Sequence, residues 1–156
     1  MASTQPLAFY ATFFSVRAKA FDAEVCCAGM AAVKKKIREI ENNKDATAVE
    51  KDMLTTLEVC YEFYLRGFHF DTISIYESDA AKFKVTENGL LPPFTAVHGL
   101  GETAAIDTVE KRRGKEFISI EEFAMCCGKL SKTHIEQLKA LGAFAGMAET
   151  SQITLF

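Results

Sequence analysis

The stretch PPFTAVHGLGETAAIDTVEKRRGKEF, residues 92–117, decides how the second half of this chain folds. Its two prolines end regular pairing, because proline has no backbone N–H to donate. Phe94 and Val97 are spaced to line one side of a short helix, and Gly99 to Gly101 form a tight turn before a second helix. The stretch therefore predicts two short helices joined by a glycine turn, with the intervening Leu100 packed inward.

The composition of this turn indicates a phosphate-binding site. Glycines adopt left-handed backbone angles readily, and they have no Cβ that would keep a phosphate away. The amides of the turn and of the first residues of the next helix then point outward, where the helix dipole favours an anion. The candidate phosphate-binding residues are Gly99, Leu100, Gly101, Glu102 and Thr103.

A basic cluster, KRRGK at residues 111–115, follows the second helix. Cations at the end of a helix can simply compensate the helix dipole. Beside a phosphate-binding turn we favour neutralisation of a nucleic-acid backbone. The candidate contacts are Lys111, Arg112 and Arg113. An earlier run of three lysines, residues 34–36, is better explained as a solvated helix face, with a phosphate contact as the alternative.

A second unit of two short helices follows in FISIEEFAMCCGKLSKTHIEQLKALGAF, residues 117–144. Ser119 and Glu122 have the spacing of a helix cap. The sequence GKLSK, residues 128–132, then turns into another helix, whose buried stripe is predicted to be Ile135, Leu138 and Leu141. Two short helices around a glycine are weak evidence alone, so the weight rests on the repetition.

The first half of the chain carries three helical patterns. Residues 6–20 are apolar on nearly every side, which is typical of a buried helix, and we expect part of its covering to lie upstream in a longer protein. Residues 22–42 form an amphipathic pattern, with apolar side chains at steps of three and four. Thr47 and Glu50 have the spacing of a capping box that begins a third helix.

After the third helix the hydrophobic period shortens from about 3.6 residues to about 2, which indicates strands. Residues 72–76 and 83–85 alternate between apolar and polar side chains. Asn88 and Gly89 then predict a hairpin with a type I′ turn, because both residues tolerate the positive φ that this turn needs. The predicted fold is therefore mainly α with a small β-hairpin.

The first of the two paired-helix units resembles the helix-hairpin-helix motif, which clamps a DNA backbone without reading its sequence. Residues 94–101 match the motif's pattern of hydrophobic-x-x-hydrophobic-x-Gly-hydrophobic-Gly. Two positions depart from it. His98 stands where the family usually has proline, and Thr108 occupies a usual aliphatic position, so we expect Val109 to fill the seam between the helices. The resemblance implies duplex DNA as a partner.

Nearly the whole chain is similar to the C-terminal region of PolC-type DNA polymerase III alpha subunits. The similarity rests on five segments in the expected order: PLAFYATFFSVRA (6–18), LRGFHFDTISIYESDAAKF (65–83), LLPPFTAVHGLG (90–101), GKLSK (128–132) and QITLF (152–156). It implies a helical segment derived from the polymerase fingers over residues 1–91 and a tandem helix-hairpin-helix domain over 92–146. In the second hairpin, it implies DNA contacts from Lys129, Ser131 and Lys132.

The resemblance also implies that residues 147–156 form a tail that binds the sliding clamp. In this family a glutamine enters a small polar pocket while leucine and phenylalanine fill an apolar groove. The matching residues here are Gln152, Ile153, Leu155 and Phe156. Two large apolar side chains on a tail need a pocket somewhere, and the alternative is that the tail docks into this chain's own core.

Composition limits the remaining functions. The net charge is −3, so any contact with DNA must come from a local basic patch. No apolar run has the length of a membrane helix, and no signal-peptide layout stands at Met1. We therefore predict a cytoplasmic location and no membrane partner.

The cysteines are predicted to be reduced and mostly buried thiols. Their number is odd and adjacent pairs cannot make a C-x-x-C metal clip, which argues against a disulfide framework and a zinc site. The five are Cys26, Cys27, Cys60, Cys126 and Cys127. A nucleophile paired with His69, His98 or His134 remains the alternative.

No motif in the chain supplies the paired carboxylates that a polymerase uses to hold two metal ions, and no nucleotide-binding glycine loop is present. We expect no catalytic residue, metal site or cofactor in this chain. The resemblance implies that Mg²⁺ belongs to the palm of the parent polymerase, with the rest of the alpha chain as a partner. The competing hypothesis is a free-standing helix-hairpin-helix adaptor that brings another protein to DNA.

Overall fold

The computed structural model describes residues 5–151. Within that range the chain forms seven α-helices and three short strands, which confirms the mainly α fold with a small hairpin. The helices are α1 Gln5–Val16, α2 Ala23–Cys26, α3 Met30–Asn42, α4 Ala48–Leu65, α5 Glu102–Lys111, α6 Ile120–Cys126 and α7 Lys132–Ala140. The strands are β1 His69–Phe70, β2 Lys84–Thr86 and β3 Gly89–Leu91. Single 3₁₀ turns lie at Ala18–Ala20 and Phe94–Ala96.

A cluster of aromatic rings holds the first half of the chain together. Phe14 of α1 lies 5.8 Å, centroid to centroid, from Phe63 of α4, and Phe63 stacks on Phe70 of β1 at 4.5 Å. Ring pairs at these distances add to the free energy gained by burying their area. The outward side of α1 is uncovered among the described residues, since Phe9 is 60% exposed and Val16 82% exposed. The described residues therefore cover only one side of α1, and the expectation that the rest of its covering lies upstream stays a prediction.

The helix predicted over residues 22–42 is broken in two. Gly29 has φ of 108°, which a helix cannot accommodate, and it separates α2 from α3. The broken end is held from α4, because the Tyr64 hydroxyl donates to the Cys26 carbonyl oxygen at 2.5 Å. The amphipathic pattern was correct for α3, where Val33 and Ile40 are buried, but it could not show the interruption.

Helix α4 begins as predicted. The Thr47 hydroxyl accepts the backbone N–H of Glu50 at 3.1 Å, and the Glu50 carboxylate accepts the backbone N–H of Thr47 at 3.3 Å, so the capping box is confirmed. The helix then buries Met53, Leu57 and Cys60 against the first core. This helix is the long support on which α1 and α3 pack.

The strands form a three-stranded sheet in the order β1-β3-β2, with β1 parallel and β2 antiparallel to β3. The hairpin between β2 and β3 is confirmed, but its turn is one residue earlier than predicted. Thr86 pairs with Gly89, so the turn residues are Glu87 and Asn88, and only Asn88 has positive φ, at 57°. The type I′ prediction is therefore wrong. Gly89 instead allows close approach, because a Cβ there would lie 2.6 Å from the His69 carbonyl oxygen.

Residues 72–76 are not a strand. The Ser74 N–H donates to the Ser78 hydroxyl at 2.9 Å and the Ser78 N–H donates to the Ser74 carbonyl at 3.0 Å, which closes a local turn in place of a ladder. Ile73 and Ile75 are both buried in a second core, which is formed chiefly by residues 94–144. The loop therefore ties the two halves of the chain together.

Candidate nucleic-acid interface

The first glycine turn has the predicted shape, with one difference. Leu100 is 4% exposed, and its N–H donates to the Val97 carbonyl at 3.0 Å, so the turn folds around an inward leucine. Gly99 adopts φ of 79°, which only glycine takes readily. Gly101 is extended, with φ −77° and ψ 164°, and it is the N-cap residue of α5. A left-handed backbone is thus needed at Gly99 alone.

The turn carries several backbone donors that are unpaired in the described part of the chain. Among residues 5–151, the N–H groups of Gly99, Gly101, Glu102 and Thr103 have no hydrogen-bond acceptor, and Gly101 has no side chain to cap the helix. A Cβ built at Gly99 or Gly101 would meet no atom within 4 Å. All four residues are exposed, so their free donors lie at the surface at the positive end of a helix dipole, as an anion site requires.

The second turn repeats this geometry but closes part of it. The Leu130 N–H donates to the Cys127 carbonyl at 3.0 Å, as Leu100 does to Val97. At the start of α7, the Ser131 hydroxyl accepts the His134 N–H at 3.1 Å, and the Ser131 N–H donates to His134 Nδ1 at 3.2 Å. The Ser131 amide, which corresponds to the open amide of Gly101 in the first turn, is thus occupied in the second. Exposed Lys129 carries positive charge at this turn.

Helix α7 also holds the first turn in place. His134 Nε2 lies 3.2 Å from the Gly99 carbonyl oxygen, and Gln137 Nε2 donates to the His98 carbonyl oxygen at 3.0 Å. Because Nδ1 of His134 accepts a hydrogen bond, its Nε2 carries the proton and donates to Gly99. The N–H and C=O of a trans peptide point in opposite directions, so Gln137 turns the Gly99 N–H away from α7. The sequence did not predict that His134 and Gln137 hold the first turn. Their three-residue spacing, which places them on one face of α7, is the sequence feature that indicates a shared role.

The basic cluster after α5 divides into two roles. Arg112 is half-buried: its guanidinium donates to the Ile75 carbonyl oxygen at 3.2 Å and lies 5.7 Å from the centre of the Phe94 ring. Burial lowers its pKa, although nearby carboxylates act in the opposite direction. Lys111 and Arg113 are exposed, and neither forms an ion pair within residues 5–151. Both side chains therefore present positive charge to the solvent.

Residues 67–153, more than half of the chain, match the family described as helix-hairpin-helix motif. The chain belongs to the helix-hairpin-helix family. It is also homologous, over 97% of its length, to a segment of proteins named DNA polymerase III PolC-type. The identity is 45% over 152 residues with the protein of Caldanaerobacter subterraneus, 43% over 152 residues with that of Clostridium perfringens, and 41% over 152 residues with that of Halalkalibacterium halodurans. The chain spans 10–11% of the length of these relatives.

Thr108 stands at a position of the helix-hairpin-helix motif that is usually aliphatic. Thr108 is fully buried in the seam, and its hydroxyl donates to the Ala104 carbonyl one turn earlier at 2.8 Å. A buried hydroxyl with a partner avoids the cost of an unsatisfied polar group. Val109 is only partly buried. Val109 packs against the second core as expected, but Thr108 is buried beside it and is not displaced.

The segment after the second hairpin returns to cover the N-terminus of α6. The N–H of Ile120 donates to the Ala148 carbonyl at 2.9 Å, and that of Glu121 donates to the Glu149 carbonyl at 3.1 Å. The Ser119 hydroxyl caps Glu122 as predicted, at 3.1 Å. The N-terminus of α6 is thus occupied by the protein itself. The predicted clamp-binding residues Gln152, Ile153, Leu155 and Phe156 lie outside the described residues.

The cysteines of the described chain are free thiols. Burial raises the pKa of Cys27 well above its usual value and that of Cys127 to about 12, and a hydrogen bond with Cys26 together with burial raises that of Cys60. A thiol with a raised pKa is a poor nucleophile at neutral pH. His69 Nε2 lies 2.8 Å from Asp71 Oδ1, and His134 Nδ1 accepts the Ser131 N–H in the second turn.

Within residues 5–151, no helix is both long and apolar enough to cross a bilayer.

Proposed function

We propose that this chain grips the backbone of duplex DNA as part of a PolC-type DNA polymerase III alpha subunit. The observation that carries the proposal is the set of amides of exposed Gly99, Gly101, Glu102 and Thr103 at the start of α5, which have no acceptor within residues 5–151. The exposed cations of Lys111 and Arg113 on the same helix-hairpin-helix unit, with Lys129 and Lys132 on the other, add charge. Contacts of this kind recognise phosphates and carry no base information.

The polymerase assignment is supported by where the similarity lies. It extends over 97% of the chain, including α1 to α4, and is not limited to the helix-hairpin-helix region. This favours the polymerase over a free-standing adaptor. In this proposal the first half belongs to the fingers, the parent enzyme works in the cytoplasm, and its Mg²⁺-binding carboxylates lie in another part of the longer chain. This chain contributes no catalytic residue.

We further propose that Gln152, Ile153, Leu155 and Phe156 bind the sliding clamp. Burying two large apolar side chains is worth about 1.5–3 kcal/mol each before ordering costs, so the peptide alone should bind modestly. A clamp that encircles the same duplex would hold the peptide at high effective concentration, which makes modest affinity sufficient.

The DNA proposal is tested by the salt dependence of binding to labelled duplexes. About four phosphate contacts predict a slope of log K against log salt near −3.6, and duplexes of unrelated sequence should bind alike. A flat salt response would mean that the hairpins only pack against one another, and the proposal would be wrong.

The clamp proposal is tested by titrating the purified clamp with the chain and with a variant that lacks Leu155 and Phe156. We expect the truncated variant to lose clamp binding, with little change in melting temperature and in duplex affinity. A large fall in melting temperature would indicate instead that the tail docks into its own fold.

A further inference from the structure

A cleft of about 320 Å³ lies between the first half of the chain and the first hairpin. One wall is the 3₁₀ turn that follows α1, and the other is the turn that carries the unused amides. The lining residues are Ala18, Lys19, Phe21, Thr95, Val97, His98, Gly99, Leu100 and Glu102. The cleft therefore lies at the junction of the two cores and opens beside the candidate phosphate site.

The cleft has an apolar floor and a charged rim. Phe21, Val97 and Leu100 on its floor are each at most 4% exposed. Lys19 from the first half and Gly99 and Glu102 from the first hairpin line the same cleft, and all three residues are exposed. Lys19 is exposed, and within residues 5–151 its ammonium group has no carboxylate partner. The cleft is thus lined both by a cation without an ion pair in the described range and by residues whose amides have no acceptor there.

We propose that Lys19 is a further phosphate-binding residue, and that this cleft takes one sugar-phosphate unit of duplex DNA. The phosphate lies between the Lys19 ammonium and the amides of the Gly99 turn, while the deoxyribose lies over the apolar floor. This inference rests on the proposed DNA binding and extends it to a residue outside the helix-hairpin-helix region. One phosphate would then contact both halves of the chain.

Glu102 contributes both attraction and repulsion toward a phosphate in this cleft. Its amide is one of the free donors, but its carboxylate carries the same sign as the phosphate, so Lys19 is needed to offset it. Replacing Glu102 by Gln keeps the amide and removes the repulsion. We expect the Glu102→Gln variant, which retains Lys19, to bind duplex DNA more strongly than the parent chain.

The test compares Lys19→Gln with Lys44→Gln in the 156-residue chain. Lys44 is also exposed, in the loop between α3 and α4, and it lines neither wall of the cleft. Duplex binding is measured by fluorescence anisotropy over a range of salt concentrations. Loss of one phosphate contact lowers the salt slope by about 0.9, which corresponds to about eightfold weaker binding at about 0.1 M salt.

We expect that loss for Lys19→Gln, no change in slope for Lys44→Gln, and retention of the slope in Lys19→Arg, which keeps the charge. Equal slopes for Lys19→Gln and Lys44→Gln, with normal binding by the parent chain, would overturn the role of Lys19 alone. Absence of salt-dependent duplex binding by the parent chain would overturn the proposed function as well. Melting curves identify a misfolded Lys19→Gln variant, and the decision then passes to Glu102→Gln, whose failure to strengthen binding would overturn the cleft site.

Discussion

Replacing Gly101 by alanine separates DNA binding from folding. The residue has φ −77° and ψ 164°, which alanine adopts without strain, and a Cβ there would meet no protein atom within 4 Å. The fold should lose only the difference between glycine and alanine as helix N-caps, up to about 1 kcal/mol. For a chain of this size that lowers the melting temperature by roughly 2–4 °C.

The effect on DNA should be much larger, because the added methyl group stands in the open space through which a phosphate reaches the amides. Hydrogen bonds to a charged group contribute about 1.5–3 kcal/mol each. If the methyl group displaces the phosphate from one such amide, the affinity falls by a factor of about 10 to 150. The assay is fluorescence anisotropy with a labelled duplex at low salt, with a melting curve for each variant.

The matched control is Thr47→Ala. It removes the N-cap of α4, where the Thr47 hydroxyl accepts the Glu50 N–H, and so destabilises the chain by about 0.5–2 kcal/mol at a helix that belongs to neither hairpin. We expect Thr47→Ala to lower the melting temperature and leave the duplex affinity unchanged. If Gly101→Ala binds duplex DNA within about twofold of the parent chain, the turn amides do not contact phosphate and the reasoning is refuted.

Three further predictions concern residues around the interface. Arg112→Ala should lower the melting temperature, because it removes the hydrogen bond to the Ile75 carbonyl oxygen and the contact with the Phe94 ring. Arg113→Ala should instead weaken duplex binding with little change in melting temperature. The opposite pattern would exchange the roles of the two arginines. His134→Ala should weaken duplex binding while His134→Gln, which can restore the cap on Ser131, should retain more of it, as measured by anisotropy; equal losses would argue against the cap. Burial raises the pKa of Cys127 to about 12, so at pH 8 its thiol stays protonated and iodoacetamide should label it far more slowly in the folded chain than in urea, which peptide mass mapping would show; equal rates would contradict its burial.

The features that could be predicted from the sequence are those whose partners lie within a few residues of each other. The capping box at Thr47, the glycine turn around Leu100 and the existence of the β2–β3 hairpin all depend on side-chain spacing and local backbone angles. The same local patterns failed where a distant contact competed with them. The alternation in residues 72–76 is real, but both isoleucines are buried by the second core, and no strand within the described range 5–151 pairs with the segment.

Only part of the candidate site, the glycine turn, can be predicted from the sequence. The spacing of Gly99 and Gly101 predicts a turn with free amides, since that depends on residues next to each other in the chain. Only the tertiary structure shows that Lys19 and Gly99 line the same cleft and that Arg112 donates to the Ile75 carbonyl oxygen. It also shows that His134 of α7 contacts the Gly99 carbonyl oxygen. These partners lie far apart along the chain, and packing of the two cores brings them together, so no local pattern of side chains records them.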